Sequence, residues 1–453
     1  MAEKLIVIGG TAAGLSAASK AKRLMPELEI EVYEMSGYIS YGACGLPYFV
    51  GDLIKDEGEL ISVTADVMKN KRGIPTYIHH EVTRIDREKK NVTVKNLETG
   101  ETFERSYDKL VIATGAAPIR LNVPGAQLPG VHYLRNVEDG LSLKSAVAPG
   151  KTAVIIGGGF IGLELAEELT LSGMKVHLVE AMPRLLPFLE ERFSQTVCDT
   201  LEKNGVSVHL DAKASAVLEK DGCAAGVRLE NGEEIDADIV LCSIGVLPMS
   251  RLAGEAGLEL GLKGGIVVDE HQQTSDPCIW ACGDCVQMKH VITGAPAYVP
   301  LGTTANKQGR VAGACLAGED DAFKGVLGSS VTKVFDLYVA VTGLSLMQAK
   351  AAGYEAVSSV ITKADRASYY PGGGENTICM VLDQATGRLL GAQAIGTSTV
   401  AGRVNVFVAA ITAGMTVAQI NDLDFVYAPP VAPVYDPILI AASQAMKKVR
   451  PVK

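Results

Sequence analysis

Two stretches of this chain repeat one another. K-L-I-V-I-G-G-T-A-A-G-L-S-A-A occupies residues 4–18, and T-A-V-I-I-G-G-G-F-I-G-L-E-L-A occupies residues 152–166. Each is an apolar run, a glycine turn and an Ala/Leu-rich helical pattern, which predicts strand–turn–helix. Each leads to a further strand ending in an acid: I-E-V-Y-E closes with Glu34, V-H-L-V-E with Glu180. A duplicated unit of this kind sets the fold class. It is α/β, with two Rossmann-like dinucleotide-binding domains.

A chain of 453 residues has room for a third domain. Alternating residues from Val82 to Val94 predict strands, and L-V-I-A-T-G (110–115) and V-L-C-S-I-G (240–245) predict matching buried strands with turns. The proline-bearing stretch 116–129 reads as a crossing between domains. After Ala322 the glycine fingerprints stop. Two strand patterns, a helical pattern over 397–415 and a proline-rich tail at 428–437 predict a separate α+β domain.

Composition narrows the function. A net charge of −10 provides no basic excess for a general nucleic-acid partner. The apolar run at the N-terminus is too short for a signal peptide, and none approaches the ~18 residues of a membrane span, so the cytoplasm is expected. Nine cysteines in a chain this long are not a disulfide scaffold; most are expected to be buried free thiols. That includes Cys282 and Cys285, despite their C-x-x-C spacing, and Cys242 and Cys379 in apolar strands. The seven histidines show no metal-ligand spacing, so no metal is expected.

Glycines at such turns let a pyrophosphate approach the amides at a helix N-terminus. The second turn is a complete G-x-G-x-x-G: Gly157, Gly159 and Gly162. Glu180 lies about 20 residues on, where a carboxylate accepts from a ribose hydroxyl and repels a 2′-phosphate; NADH is favoured over NADPH, with Arg184 nearby as the counter-indication. The first turn departs from the pattern, with Gly9, then Thr11 in place of a glycine, then Gly14; Glu34 and the downstream copy support it. Two nucleotide sites imply a nicotinamide and a bound redox cofactor, because no side chain accepts hydride reversibly.

The stretch S-Y-G-A-C-G-L-P-Y-F (Ser40–Phe49) holds one cysteine, Cys44, with Ile39 where a dithiol partner would stand. Pro47 suits the first turn of a helix, and a thiol at a helix N-terminus is expected to have a lowered pKa.

Gly9–Gly14, A-T-G at 113–115, Gly157–Gly162 and I-W-A-C-G-D at 279–284 together resemble the FAD-dependent pyridine nucleotide–disulfide oxidoreductases, over essentially the whole chain. The resemblance implies FAD-binding parts at 1–115 and 246–322, an NAD(P)H-binding domain at 116–245 and a dimerisation domain at 323–453. It implies FAD beside Gly9, Gly10, Thr11, Ala12, Ala13, Gly14, Glu34, Ser40, Val82, Ala113, Thr114, Gly115, Arg135 and Asp284. It implies NADH or NADPH beside Gly157, Gly159, Phe160, Ile161, Gly162, Glu164, Glu180 and Gly245.

Within that family the Cys44 stretch resembles the single-cysteine branch: coenzyme A-disulfide reductases, persulfide or polysulfide reductases, NADH oxidases and peroxidases. The oxidases and peroxidases carry a histidine in the first glycine turn, where this chain has Ala12. The coenzyme A-disulfide reductases place basic residues on the first helix, matched by Lys20, Lys22 and Arg23. The branch also implies Ser16, Ser40 and either Lys71 or Arg72 beside the substrate; Ala43 stands where an asparagine is usual. Tyr369 or Tyr370 matches the substrate-side loop, and Tyr427 the C-terminal signature that reaches the neighbouring subunit of a homodimer.

The expected function is NAD(P)H-dependent reduction of coenzyme A disulfide, or of coenzyme A persulfide or polysulfide. The Cys44 thiolate attacks a substrate sulfur, a thiol or hydrosulfide leaves, and a tyrosine hydroxyl protonates it. A persulfide would come from solution or another protein. The alternative is an NADH oxidase or peroxidase using a Cys44 sulfenic acid; a ferredoxin-reductase-like partner, needing no cysteine, is the third reading.

Overall fold

The structure is a computed structural model that describes residues 3–450. Its first sheet is parallel and five-stranded, ordered Ile279–Ala281, Lys109–Ile112, Lys4–Ile8, Glu29–Tyr33, Thr76–Tyr77. The second has the same plan: Val131–His132, Ile239–Cys242, Thr152–Ile156, Lys175–Val179, Ser207–His209. The central strands are Lys4–Ile8 and Thr152–Ile156, each buried beyond its first residue and each followed by a glycine turn and a helix. Helices on both faces explain why these strands read as continuous apolar runs rather than alternating ones.

The outermost strand of each sheet comes from far away in sequence. Ile279–Ala281 returns from beyond the second unit to pair with Lys109–Ile112, and Val131–His132 precedes its unit. The chain leaves the first sheet and comes back through one antiparallel pair, Ala116–Pro118 with Val246–Pro248. Each unit also carries a three-stranded antiparallel sheet, at 80–106 and at 214–236.

Residues 330–396 form an antiparallel five-stranded sheet. Helices Thr399–Thr412 and Pro437–Met446 pack on it through Val404, Phe407, Ile438 and Ala441. The helix predicted over 397–415 is therefore somewhat shorter. The proline-rich tail ends where Asp436 caps the last helix, donating nothing and accepting from Ile438 N–H at 2.8 Å. Its other partner is Arg403, bound at 2.8 Å in a buried ion pair.

Candidate active site

The two glycine turns have the backbone that a dinucleotide turn requires. Gly9 has φ +107° and Gly157 φ +109°, conformations that L residues avoid. A Cβ at Gly14 would sit 1.9 Å from the Gly9 carbonyl oxygen, and one at Gly162 would sit 2.0 Å from that of Gly157. Gly159 differs: a Cβ there would meet nothing within 4 Å. Its missing side chain leaves space for a ligand rather than for packing. Glu34 accepts from Gly10 N–H at 2.7 Å and Glu180 from Gly158 N–H at 2.8 Å, so each acid closes its own turn.

The Cys44 turn is pinned to the first glycine turn. Ser40, at φ +46°, donates its N–H to the Gly10 carbonyl at 3.1 Å and accepts from Ser62 N–H at 2.8 Å. Cys44 follows in a short turn, Ala43–Gly45, that runs into helix Leu46–Val50, with Pro47 in the first turn as expected. Its surface is open to solvent.

The thiol's pKa runs opposite to the sequence expectation. Burial of the thiol's surroundings pushes it up first; the Glu164 carboxyl pushes the same way, Arg135 opposes and Asp284 adds to the rise. The reason is local. The helix has only five residues and Cys44 lies before its N-cap, Gly45, so there is little dipole to lower the pKa. Glu164 is itself raised to about 7, by burial first and then by the neighbouring Glu167 and Glu168, although a 3.2 Å hydrogen bond from Thr332 opposes the shift. Tyr48, one turn beyond Cys44, is pushed up to about 12, by burial and then by Glu164. Glu164 thus faces the cysteine turn. The sequence placed it only by resemblance, in the second nucleotide site.

Asp284 receives Arg135 Nη2 on one oxygen at 2.9 Å. Its other oxygen is buried and unpaired, as is Nε2 of Gln308; Oε1 of Gln308 accepts from Gly283 N–H at 3.0 Å. Thr114 Oγ1 donates to the Met249 carbonyl at 2.5 Å, and Gly115 turns at φ +71° with Arg135 beside it. Buried polar atoms without partners cost roughly 1–3 kcal/mol each, so a donor and acceptor left open beside a glycine turn fit a polar dinucleotide such as FAD. Gly245, at φ +106°, accepts at its carbonyl from Ile119 N–H and so sits in the crossing between the units. Val82 is different. Its side chain is buried among Ile8, Tyr33 and Val94 in the hairpin core, at a bulge, and offers a cofactor at most its main chain.

The basic residues of the first helix, Ala12–Leu24, divide between two faces. Ser16 donates to Asn306 at 2.8 Å, Lys20 pairs with Glu319 at 2.9 Å, and Arg72 reaches Ser19 at 3.4 Å. Arg23 is exposed, seven residues from Ser16 on the same face. Lys22 points elsewhere and donates to the Pro26 and Leu28 carbonyls at 2.7 and 2.9 Å. Lys71 is exposed on its own short helix. Tyr369 and Tyr427 meet hydroxyl to hydroxyl at 3.0 Å, both exposed, with Tyr370 exposed beside them. The groups acting on the Cys44 thiol within one chain do not include these tyrosines. Cys282 and Cys285 are fully buried, and burial raises both thiols.

Three residues escaped the sequence reading: Asn306, Gln308 and Tyr298, which donates to the Asp284 carbonyl at 3.0 Å. None stands in a local pattern; each becomes visible only where distant segments pack.

The profile of the pyridine nucleotide-disulphide oxidoreductases matches residues 3–309, and that of their dimerisation domain matches residues 329–437. The chain belongs to this family. It is 36% identical over 446 residues to a Pyrococcus horikoshii protein named NAD(P)H coenzyme A polysulfide/persulfide reductase, with 98% of each chain covered. It is also 36% identical to a Methanocaldococcus jannaschii protein named NADH oxidase, covering 98% of this chain and 99% of that one. Among solved structures, an NAD-dependent persulfide reductase from A. fulgidus superposes with a TM-score of 0.95 at 37% identity, over 98% of this chain and 83% of that one. Among the described residues no helix is long and apolar enough to cross a membrane.

Proposed function

We propose that this protein is a homodimeric FAD enzyme that uses NADH, or NADPH, to reduce coenzyme A disulfide or coenzyme A persulfide and polysulfide through Cys44. One observation carries the reading. A lone, solvent-open thiol stands on a turn tied to the first glycine turn, within electrostatic reach of Arg135, Asp284 and Glu164. Those three groups come from both nucleotide units.

The FAD unit is assigned to the chain up to residue 115 and again over 246–322, NAD(P)H to 116–245, and dimer contacts to the chain from 323 onward. Gly9–Gly14, Glu34, Ser40, Ala113–Gly115, Arg135 and Asp284 would hold FAD, with Gln308 added from its open donor. Gly157–Gly162 (including Phe160 and Ile161), Glu164, Glu180 and Gly245 would hold the nicotinamide cofactor. Glu180 supports NADH over NADPH. Arg184, a nearby cation that could favour a 2′-phosphate, donates to the Pro187 carbonyl at 3.1 Å. We place the enzyme in the cytoplasm, where its nine unpaired thiols would stay reduced.

A bound FAD supplies the two-electron link between nicotinamide and sulfur that no side chain provides. The chain's own groups handle sulfur and protons. Cys44 as thiolate attacks one sulfur of the substrate; a new S–S bond forms at Cys44, the substrate S–S bond breaks, and the leaving sulfur keeps the electron pair. Because burial and Glu164 raise the Cys44 thiol, the thiolate depends on Arg135 and on where the proton goes. Glu164, titrating near neutrality, is suited to hold that proton. The Tyr369–Tyr427 pair, presented by the second copy, would protonate the leaving thiolate.

The test is Cys44→Ser. The variant should retain bound FAD and its reduction by NADH, yet lose NADH-dependent reduction of coenzyme A disulfide and persulfide. Full turnover by the variant would sink the reading. Rapid oxygen consumption by the parent without any thiol substrate would favour the NADH oxidase alternative instead.

A further inference from the structure

Tyr369 and Tyr427 meet hydroxyl to hydroxyl at 3.0 Å although both rings are open to solvent, Tyr369 with 73% of its surface exposed. A hydrogen bond between such groups is nearly matched by bonds to water, so it cannot by itself order the two segments that carry it. The order comes from underneath. Tyr369 stands on the loop 365–374, between strands Ala356–Ala364 and Glu375–Asp383, and Tyr427 on the stretch 422–436 that precedes the last helix.

Asp365 closes the base of the loop. It is fully buried, and its carboxylate accepts from Gly374 N–H at 3.0 Å, Thr397 Oγ1 at 2.9 Å and the Arg366 guanidinium at 3.2 Å. Asp436 closes the other stretch. Arg403, buried on helix Thr399–Thr412, holds both ends: its Nη2 donates to the Asp365 carbonyl at 2.9 Å and to Asp436 Oδ2 at 2.8 Å, and its Nη1 donates to Thr399 Oγ1 at 2.6 Å. A main-chain bond from Ala367 N–H to the Pro429 carbonyl also joins the two segments, but it is long, at 3.4 Å. A buried ion pair adds little stability over apolar packing of the same volume, so stability alone does not explain a guanidinium here. Its flat fork spans a carbonyl and a carboxylate together, which the point charge of an ammonium does less well.

We propose that Arg403 is a positioning residue: by clasping Asp365 to Asp436 it fixes the two segments so that Tyr369 and Tyr427 deliver protons as one unit to sulfur leaving Cys44 of the partner subunit. The inference rests on the coenzyme A reading above. In the exchange, the leaving sulfur keeps the electron pair of the broken S–S bond and takes its proton from one tyrosine hydroxyl. The other hydroxyl donates to the phenolate that remains. Placement matters only where a proton is needed. An alkyl thiolate is nearly as basic as a phenolate and needs the acid, whereas a nitro-substituted aryl thiolate is weakly basic and leaves without one.

Dithiothreitol-treated, desalted holoenzyme without NADH can complete only the first exchange, so rapid-quench release of the first thiol tests this. The substrates are coenzyme A disulfide and the mixed disulfide of coenzyme A with 5-thio-2-nitrobenzoate. Arg403→Lys keeps a cation beside Asp436; it should slow the first substrate about ten-fold and the second by less than about two-fold. Tyr427→Phe should show the same selective loss, and R403K should add nothing to it. Thr397→Val, which removes one bond on the Asp365 carboxylate and leaves the ion pair intact, should give the same selectivity by a smaller factor. R403K slowing both substrates equally, or neither, overturns the proposal, as does a loss that adds fully to that of Y427F. If the parent releases no thiol from either disulfide, the coenzyme A reading falls, and hydrogen exchange decides the clasp. R403K should then speed exchange of the Ala367, Tyr370 and Gly374 amides, each bonded in the parent, and unchanged exchange overturns it.

Discussion

The two nucleotide units share a strand order and a turn geometry and differ in what their helices face. Their glycine turns open at φ +107° and +109°, and their acids close them at 2.7 and 2.8 Å. The first helix, Ala12–Leu24, contains no acid; its Ala13, Ala17, Ala18 and Ala21 are buried, the first two against the backbone of the helix at 302–315. The second helix, Phe160–Leu171, carries Glu164, Glu167 and Glu168 toward the cysteine turn and the third domain, where Lys333 pairs with Glu167 and Phe335 N–H donates to it at 2.7 Å. Backbone sterics set what the copies share. Neighbours set where they diverge, and the chemistry lies on the divergent side.

The largest effect should come from breaking the shared skeleton at one point and the ligand space at another. In Gly14→Ala the new carbon would overlap the Gly9 carbonyl oxygen at 1.9 Å, with only backbone to move. Overpacking of this kind costs about 1–3 kcal/mol or more, and it distorts the very turn proposed for FAD. The variant should unfold at a clearly lower temperature and purify with little flavin. Gly159→Ala has open space and should stay within about 0.5 kcal/mol of the parent while raising the KM for NADH. Thermal melts, flavin absorbance and NADH kinetics read both. Equal destabilisation by the two would mean that the second turn's middle glycine serves packing after all.

The next effect belongs to the second helix alone. Glu164 is raised from 4.5 to about 7 in the folded chain. Between those values the folded state binds more protons than the unfolded state, so stability is greatest below the lower pKa and is lost as pH rises through the higher one. The parent should lose on the order of 2 kcal/mol over that range relative to Glu164→Gln; Glu168, also raised by burial, gives both proteins a loss in the same direction and cancels from the difference. Denaturant midpoints measured across that pH range check it. A parallel course for parent and variant would mean that Glu164 is not the carboxyl at work.

Sequence legibility follows the same division. The turns and their acids could be read directly, because a glycine whose Cβ would strike its own backbone is required in any context. Thr11 looked like a defect, yet it is the residue preceding the first helix, at φ −101°, where a side chain is tolerated. The Cys44 thiol could not be read, since the carboxyl that most strongly raises it stands 120 positions away, and the short helix after it could not be measured from Pro47 alone. Asn306 and Gln308 are ordinary polar residues until two helices meet. Lys22 was within reach: helical spacing separates it from Ser16, Lys20 and Arg23.

Lys22 also supplies the smallest test of the comparison, at the ends of the two helices. The first is closed by the Lys22 ammonium on the Pro26 and Leu28 carbonyls, the second by Ser172 Oγ on the Glu168 carbonyl at 2.9 Å. A cation at a helix C-terminus contributes typically 0.3–1 kcal/mol, and a neutral hydroxyl bond is worth about as much. Lys22→Gln and Ser172→Ala should therefore each cost about 0.5 kcal/mol in denaturant melts. Added salt should erase the first cost and leave the second. K22Q should also bind coenzyme A like the parent, whereas Lys20→Gln, one helix face away, should not. A weakened affinity in K22Q would return Lys22 to the substrate face and show that the carbonyl contacts give way when ligand arrives.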